Sequence, residues 1–581
     1  MSFRTARIAA GENITAPEAR DAPRTRAAGI DRVGRIVVWI AYGVFVALSL
    51  RAPLLRTGDA QQYVAMADAL AHLRPPSFSP AEVAAFKAWL ANQPAASFYP
   101  DAVNAIDQGN LRAGGRQEFS HFWLYPLAAA PFVRAVEAVG LHPGYGLFVA
   151  NALLLAGALV ALGRTARPTV SLLLLASPAL WFVNKAQVEI FTFSLLTIAI
   201  CLAIRRRYLL AALAAAVAAT QNLPIAAAVP LFWAIGAWRS GCCSVIPRRF
   251  PAFIPRRFSP VMPSPPPVIP SEVEGSRPSW TQTNEMPRQA RHDGERARHD
   301  CGMARHDDAT LVGLTIAVCL LHPTYYLWRL GVVTPQALNH GFGLSLPDWE
   351  RYLAVLVDPD IGLFWWAPLI PLFTVVGAVS LGSRRLGGER RADLGWAALA
   401  AAILGGWFLL TFAQTTNINS GGTMSMSRYA MWLLPLAIPF LAAAAEAGAA
   451  ANLAMLAAGI VALPLAVILF EPAQPERYVA PTAQAAWLID WLPGRYRQTP
   501  EIFYERQSAT DGGVRGSAAS RGCQTVLLSR TDQQQPCPLT AGEQAAAHTL
   551  FDQGWSAVWI TRPGFSGWGA AGVAGAVRDG S

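Results

Sequence analysis

The chain has 581 residues, of which 53% are hydrophobic and only 14% charged, with 47 Lys+Arg against 37 Asp+Glu and a net charge of +10. Soluble globular chains carry about 25% charge, so a single soluble domain would have nowhere to bury this much apolar surface. Disorder throughout is excluded by the same hydrophobicity. The basic surplus sits among 19 Trp and 26 Phe in long apolar runs, which points to lipid and not to nucleic acid.

Residues 1–35 form a basic tail (Arg4, Arg7, Arg20, Arg24, Arg26, Arg32, Arg35) expected on the cytoplasmic side. A membrane crossing needs roughly 20 apolar residues. Candidate runs are 36–52, 145–163, 169–184, 187–204, 208–220, 223–238, 309–327, 361–382, 394–412, 429–447 and 450–470. The first lacks a following A-x-A-like site and reads as an uncleaved anchor. Stretch 121–139 is ambiguous, because it contains Arg134 and Glu137. Reading it as interfacial puts Arg164, Arg167, Arg205-Arg206-Arg207, Arg384-Arg385 and Arg390-Arg391 all inside, as the positive-inside rule requires.

The expected fold is therefore an all-α polytopic membrane protein of about 11 transmembrane helices. It has a large first outer loop with juxtamembrane helices and a small C-terminal periplasmic α+β appendage. The divisions are the tail 1–35, a membrane module 36–239 containing outer loop 51–144, a cytoplasmic insertion 240–308, a second membrane module 309–470, and the appendage 471–581. The implied location is a bacterial inner membrane, with the N-terminus cytoplasmic and the C-terminus periplasmic.

In the outer loop, Ser79-Pro80-Ala-Glu82 is a capping box with Pro at the first helical position. Val83, Phe86 and Leu90 then repeat at helical spacing, which predicts a short amphipathic helix resting on the membrane. In the insertion, Ile-Pro-Arg-Arg-Phe occurs at 246–250 and 254–258, and Ala-Arg-His-Asp starts at Ala290, Ala297 and Ala304. With almost no apolar residue, this tract is expected to be disordered, and His292, His299 and His306 read as solvated repeats more readily than as metal ligands. The segments 270–276 and 288–294 resemble translated interspersed genomic repeats, so the insertion reads as acquired.

Of the seven cysteines, Cys201 and Cys319 fall in spans as packing residues, and Cys242, Cys243 and Cys301 fall in the insertion. Cys523 and Cys537 share the appendage and are expected to form a disulfide.

No P-loop, dinucleotide fingerprint, H-E-x-x-H or nucleophile elbow occurs in a supporting context. What remains is a set of polar groups at the outer ends of spans, where charge is expensive and function is the default hypothesis. Thr57-Gly-Asp59-Ala-Gln-Gln-Tyr63 follows the first span, with Asp59 either a helix N-cap or a chemical group, and Asp68 lies further along. Glu118 and His121 sit three apart in an aromatic stretch ending at Tyr125-Pro126. Lys185 and Glu189 suit either an ion pair or a substrate site. Asn417 to Tyr429 is rich in glycine and small residues and ends on Arg428-Tyr429, which suits phosphate binding or a snorkelling arginine. Asp358-Pro-Asp360 is either a divalent-cation motif or a turn.

In this order the motifs resemble the GT-C glycosyltransferases, integral-membrane enzymes that use polyprenyl-phosphate sugars. Gly58-Asp59-Ala-Gln-Gln-Tyr63 resembles the family's catalytic-acid motif in the first outer loop. His121…Tyr125-Pro126 resembles the juxtamembrane segment after it. Asp360-Ile-Gly-Leu-Phe-Trp-Trp-Ala-Pro368 and Ser427-Arg428-Tyr429…Leu434-Pro435 resemble two later bacterial motifs. The likeness runs over 36–470, apart from the insertion, and Met426-Ser427 stands where Gly-Pro is usual.

The resemblance implies inverting transfer from a polyprenyl-phosphate sugar to a glycan, lipid or protein acceptor at the periplasmic face. Asp59 would be the general base, with Glu118 and His121 as further catalytic candidates. Tyr63, Tyr125, Lys185, Glu189, Arg428 and Tyr429 would bind donor phosphate and substrate. A divalent cation is a possible cofactor, with no dedicated metal ligands. The alternatives are a transporter or flippase, which would place polar residues near the midplane, and a polymerase or ligase of lipid-linked saccharides.

Overall fold

The computed structural model describes residues 22–51, 59–92, 106–107, 111–239, 288–338, 349–383, 386–415, 418, 426–470, 481–508, 518–531, 535–563 and 571–578. Helix α1 (Ala22–Ser49) precedes the first loop, which holds α2 (Ala60–Ala71), α3 (Pro80–Ala91), the hairpin β1 (Arg112–Ala113) and β2 (Arg116–Gln117), and α4 (Leu124–Ala138). The membrane module continues through α5 (Gly144–Gly163), α6 (Pro168–Leu175), α7 (Ala179–Phe182), α8 (Glu189–Ile204), α9 (Tyr208–Ala219) and α10 (Ala228–Arg239). After it come α11 (Arg288–Leu330), α12 (Trp349–Val357), α13 (Leu363–Trp366), α14 (Leu369–Gly382) and α15 (Gly388–Ala413). Two 3-10 turns, Arg428–Trp432 and Leu434–Ala437, lead into α16 (Ile438–Glu446) and α17 (Ala449–Phe470).

Six helices among the described residues are long and apolar enough to cross a membrane: Gly29–Ser49, Gly144–Gly163, Asp308–Leu330, Gly388–Ala413, Arg428–Glu446 and Ala449–Leu469. Shorter apolar helices are Glu189–Ile204, Tyr208–Ala219, Leu223–Arg239 and Leu369–Gly382. The chain is thus a mainly helical, multi-pass membrane protein. Its rim shows what lipid requires: Val375 and Val379 on α14 and Leu465 and Ile468 on α17 are exposed, at a cost in water that hydrocarbon removes. Inside, α9 buries Ala211, Ala212, Ala215, Ala216, Ala218 and Ala219, small residues that let α8 and α10 approach closely. Gly377 plays the same part on α14, where an added Cβ would run into the Phe440 backbone of α16.

Three expectations change. Neither the run 169–184 nor the run 361–382 is one helix: the first is the pair α6 and α7, broken at Ala176-Ser177 ahead of Pro178, and the second is the pair α13 and α14, broken at Ala367 ahead of Pro368, each proline disfavouring helical backbone before it. The last part of the insertion is helical in backbone, because α11 starts at Arg288 and carries straight into the apolar run. Its Ala, Arg, Gln and Glu are good helix formers, and no proline intervenes before Pro323. The rest of the insertion lies outside the described residues. The third concerns α3, which has the expected capping box on Ser79 and Glu82 but turns its apolar side to protein. The Phe86 ring lies 5.9 Å from Phe78, and Trp89 stacks on His142 at 5.0 Å. Stretch 121–139 forms α4, whose 15 residues lie against α2 and α5 and fall short of the roughly 20 a crossing needs.

The C-terminal part is a small α+β unit. It comprises α18 (Ala483–Trp491), α19 (Pro500–Ser508), β3 (Ala519–Arg521), β4 (Thr525–Ser529), α20 (Ala541–Asp552), β5 (Trp555–Thr561) and β6 (Gly572–Arg578). The strands form an antiparallel sheet in the order β3-β4-β5-β6. Alternation along β4 sends Val526 and Leu528 toward Ala547 of α20, while Leu527 packs with Ile489 of α18 and Phe503 of α19. Cys523 and Cys537 are disulfide-bonded, with Cα atoms 5.6 Å apart.

This unit locks onto the membrane module at 358–361. Asp360 accepts from Arg506 Nε at 2.9 Å, Gln498 Nε2 at 2.8 Å and the Thr482 backbone N–H at 2.8 Å. Asp358 accepts the Asp360 and Ile361 backbone N–H groups on Oδ1 and the Tyr496 hydroxyl on Oδ2. Both aspartates are committed to this joint, so Asp358-Pro-Asp360 is a turn and not a cation motif.

Burial, with Asp360 beside it, pushes the Asp358 carboxyl up to about 6. A carboxyl raised on folding binds its proton more tightly in the native state, so stability is greatest below the unfolded value and falls as pH rises toward 6. Thermal unfolding should therefore show a gain on the order of 2–3 kcal/mol between pH 7 and pH 4 from this group. Asp358→Asn should abolish that part of the pH dependence.

Candidate active site

The first loop is shaped to present its polar groups. Gly114 and Gly115 both have positive φ (57° and 74°), the geometry of a tight hairpin turn that only glycine adopts freely. The hairpin fixes the chain just ahead of Glu118, and Phe78 pairs with Gln117 to tie it to the start of α3. Beyond it, Ser120 Oγ donates to Gln62 Oε1 at 3.1 Å, and His121 Nδ1 lies 3.2 Å from the same oxygen. His121 is thereby held against α2.

Asp59 stands at the N-cap position of α2 but makes no side-chain capping bond. Its carboxylate points elsewhere: Oδ2 accepts Arg428 Nη1 at 2.7 Å and lies 3.3 Å from His121 Nε2. Arg428 also pairs through Nε with Glu189 Oε1 at 3.0 Å, at the head of α8. Residues 59, 121, 189 and 428 thus meet in one cluster, with Glu189 and Arg428 buried, Asp59 and His121 half-buried, and the guanidinium between two carboxylates. Burial alone would raise the Asp59 carboxyl, but His121 and Arg428 outweigh it and hold the group far below the ordinary carboxylate range.

Tyr63 lies one turn along α2, fully buried, with its ring 5.0 Å from His121 and 5.4 Å from Tyr125. Burial first, then Asp59 and Glu189, push its hydroxyl well above the usual phenol range. Tyr125 donates to Asn151 Oδ1 at 3.0 Å, and Asn151 Nδ2 donates in turn to the carbonyls of Val183 and Lys185. Tyr125 therefore positions the turn ahead of α8. Lys185 is buried on that turn, with Nζ 4.1 Å from the Trp181 ring centroid.

Three candidates face other partners. Glu118 does not join His121. Its Oε1 accepts Arg329 Nε at 2.8 Å and its Oε2 accepts the Tyr325 hydroxyl at 2.7 Å, so it clamps the loop to the end of α11. Tyr429 stacks on Phe412 at 5.2 Å and packs edge-on to Trp432, a core contact beside Arg428. Asp68 likewise faces away, binding Arg74 at 2.6 Å.

Arg329, Tyr325 and Asn151 went unread in the sequence, and Gln62 entered only as part of the motif after the first span. A signal existed for the first two: a charge at the end of an apolar run needs a partner, and Tyr325 and Arg329 share one helix face with i,i+4 spacing. Nothing local announced Asn151.

The site accommodates a divalent cation poorly, because Arg428 occupies the position between Asp59 and Glu189 where such an ion would balance charge. The one grouping of three metal-capable side chains among the described residues is Asp68, His72 and Glu137, between α2 and α4. In comparisons with known proteins, the chain matches no family model, no curated protein and no solved structure.

Proposed function

We propose that the chain is a GT-C-type membrane glycosyltransferase, moving a sugar with inversion from a polyprenyl-phosphate donor to an acceptor at the periplasmic face. In this reading all eleven apolar runs cross or line the membrane, and the α+β unit is periplasmic. The observation that carries it is the meeting of Asp59 from the first loop with Arg428, 369 residues later. A carboxylate and a buried guanidinium side by side supply a proton acceptor and an anion-stabilising group for one reaction.

The acceptor hydroxyl attacks the anomeric carbon while the bond from that carbon to the phosphate oxygen breaks. The proton passes to Asp59, and the electron pair leaves with the polyprenyl phosphate. At rest Asp59 is a weak base, because Arg428 and His121 stabilise its charge. As negative charge grows on the departing phosphate, Arg428 is drawn to it, and Asp59 gains basicity when the proton must move. His121 orients the carboxylate, and Glu189 keeps Arg428 in place. Glu118 and Tyr429 have supporting roles only.

The test is transfer from radiolabelled polyprenyl-phosphate sugars by membranes containing the chain. Transfer that depends on Asp59 and Arg428 supports the reading. Movement of the lipid-linked sugar across the membrane without bond formation would instead favour a flippase. Deleting 243–306 should leave transfer within about twofold, since long loops contribute little closure entropy and Asp308–Leu330 stays intact; a well-folded but inactive deletion would contradict this.

A further inference from the structure

Buried polar atoms in folded proteins almost always find hydrogen-bond partners, and each exception calls for a cause. Several exceptions here connect to one region. Tyr63 Oη, Gln187 Oε1, Glu189 Oε2, both amide atoms of Gln221 and His322 Nε2 are all buried and lack a hydrogen-bond partner among the described residues. None of these five side chains belongs to a residue more than 7% exposed.

Contacts link the segments that carry them: the Tyr63 ring lies 5.0 Å from His121, and Gln187 lies two residues ahead of Glu189. Asp59 meets His121 at 3.3 Å, and the next ring, Phe122, lies 5.3 Å from His322. His322 Nδ1 donates to the Thr220 carbonyl at 2.7 Å. Gln221 follows, and Asn222 Nδ2 donates to Thr192 Oγ1 at 3.0 Å, one turn along α8 from Glu189. Glu189 returns through Arg428 to Asp59. The heads of α2, α4 and α8, the end of α9 and the last third of α11 therefore converge on one polar region inside an apolar bundle.

The chemistry of the unpartnered atoms narrows the ligand. With its Nδ1–H given to Thr220, the uncharged His322 ring offers Nε2 as an acceptor. Gln187 Oε1, Gln221 Oε1 and a Glu189 carboxylate oxygen are acceptors too. Phosphate at neutral pH is almost entirely acceptor and would leave these atoms unserved. Hydroxyl groups donate and accept, and a ring bearing several of them matches a lining of this kind.

We propose that Gln187, Gln221 and His322, with Tyr63 and Glu189, form a saccharide-binding subsite that holds the hydroxyls of a sugar beside Asp59. The proposal builds on the transferase reading, but its test is separable. The full chain is placed in nanodiscs free of alkyl-glycoside detergent, which is itself a saccharide. Probes are methyl glycosides of glucose, mannose, galactose and arabinose, followed by ligand-observed NMR. Undecaprenyl phosphate, bare or carrying each of these sugars, is followed by thermal stabilisation.

Gln221→Met should weaken binding of the saccharide-bearing probes by about tenfold. It should leave bare undecaprenyl phosphate unaffected and should keep or raise the thermal stability of the ligand-free protein. That last sign separates the proposal from a structural role, for which losing Gln221 would destabilise. His322→Phe should act in the same direction on binding. Unchanged saccharide affinity in both variants, a destabilised ligand-free Gln221→Met, or no saccharide binding by the unmodified chain would each overturn the subsite. Saccharide binding lost in the variants, with no transfer from any lipid-linked donor, would uphold the subsite and remove the transferase reading.

Discussion

Asp59→Asn should reduce sugar transfer by about 10²- to 10⁴-fold, the range a positioned general base supplies, while the protein still folds. Asparagine keeps the shape and one acceptor oxygen for Arg428, but it cannot take up the proton. Arg428 would retain Glu189 as its counter-charge at 3.0 Å, so the substitution does not strand a buried cation. The pH profile sharpens the test. A carboxyl held low in the folded state contributes stability above its unfolded value, near 3.9, and loses it only as pH falls through the depressed folded value. Asp59 is therefore ionised throughout the physiological range, and any acid limb in transfer between pH 5 and 8 arises from another group. Near-normal transfer by Asp59→Asn, or an acid limb near neutrality that vanishes with it, would refute the assignment.

The largest stability effect is expected at the joint between the membrane module and the α+β unit. Arg506 and Asp360 are 1% and 0% exposed, and removing one partner of so buried a pair costs about 3–5 kcal/mol. Arg506→Met belongs at the lower end, because Asp360 keeps its bonds from Gln498 and Thr482. Asp360→Asn, which removes the carboxylate hydrogen-bonded to the guanidinium, belongs at the upper end. By contrast, Arg521→Met should cost about 1 kcal/mol or less, since it and Asp490 are 25% and 30% exposed. Denaturant unfolding of the three variants checks the order. Equal effects for Arg506→Met and Arg521→Met would show that the joint is not where the unit is held.

The apolar runs were legible because lipid leaves few ways to satisfy a backbone. The capping box at Ser79 was legible because its geometry is local. The break at Pro178 was masked by continuous hydrophobicity on both sides. Within the site, residue type and order brought Asp59, His121, Glu189 and Arg428 into consideration, but spacing is silent on contacts between residues 369 apart. Glu118 looked like a partner of His121 because the two are neighbours in sequence. The hairpin ahead of Glu118 and the reach of Arg329 turn it the other way. Lys185 looked like a partner for Glu189 on a helical turn, whereas the structure pairs Glu189 with Arg428 and sets Lys185 over Trp181.

The guanidinium between two carboxylates also bears on biosynthesis. Synthesis proceeds from the N-terminus, so Asp59 and Glu189 are inserted well before Arg428 leaves the ribosome. Until then the nascent bundle holds two acidic side chains near the bilayer with their cation still untranslated, a costly arrangement. A message broken between codons 189 and 428 would yield a fragment that keeps this imbalance permanently. Such fragments should be cleared by membrane proteases faster than fragments ending just after residue 446, which carry the complete charge set.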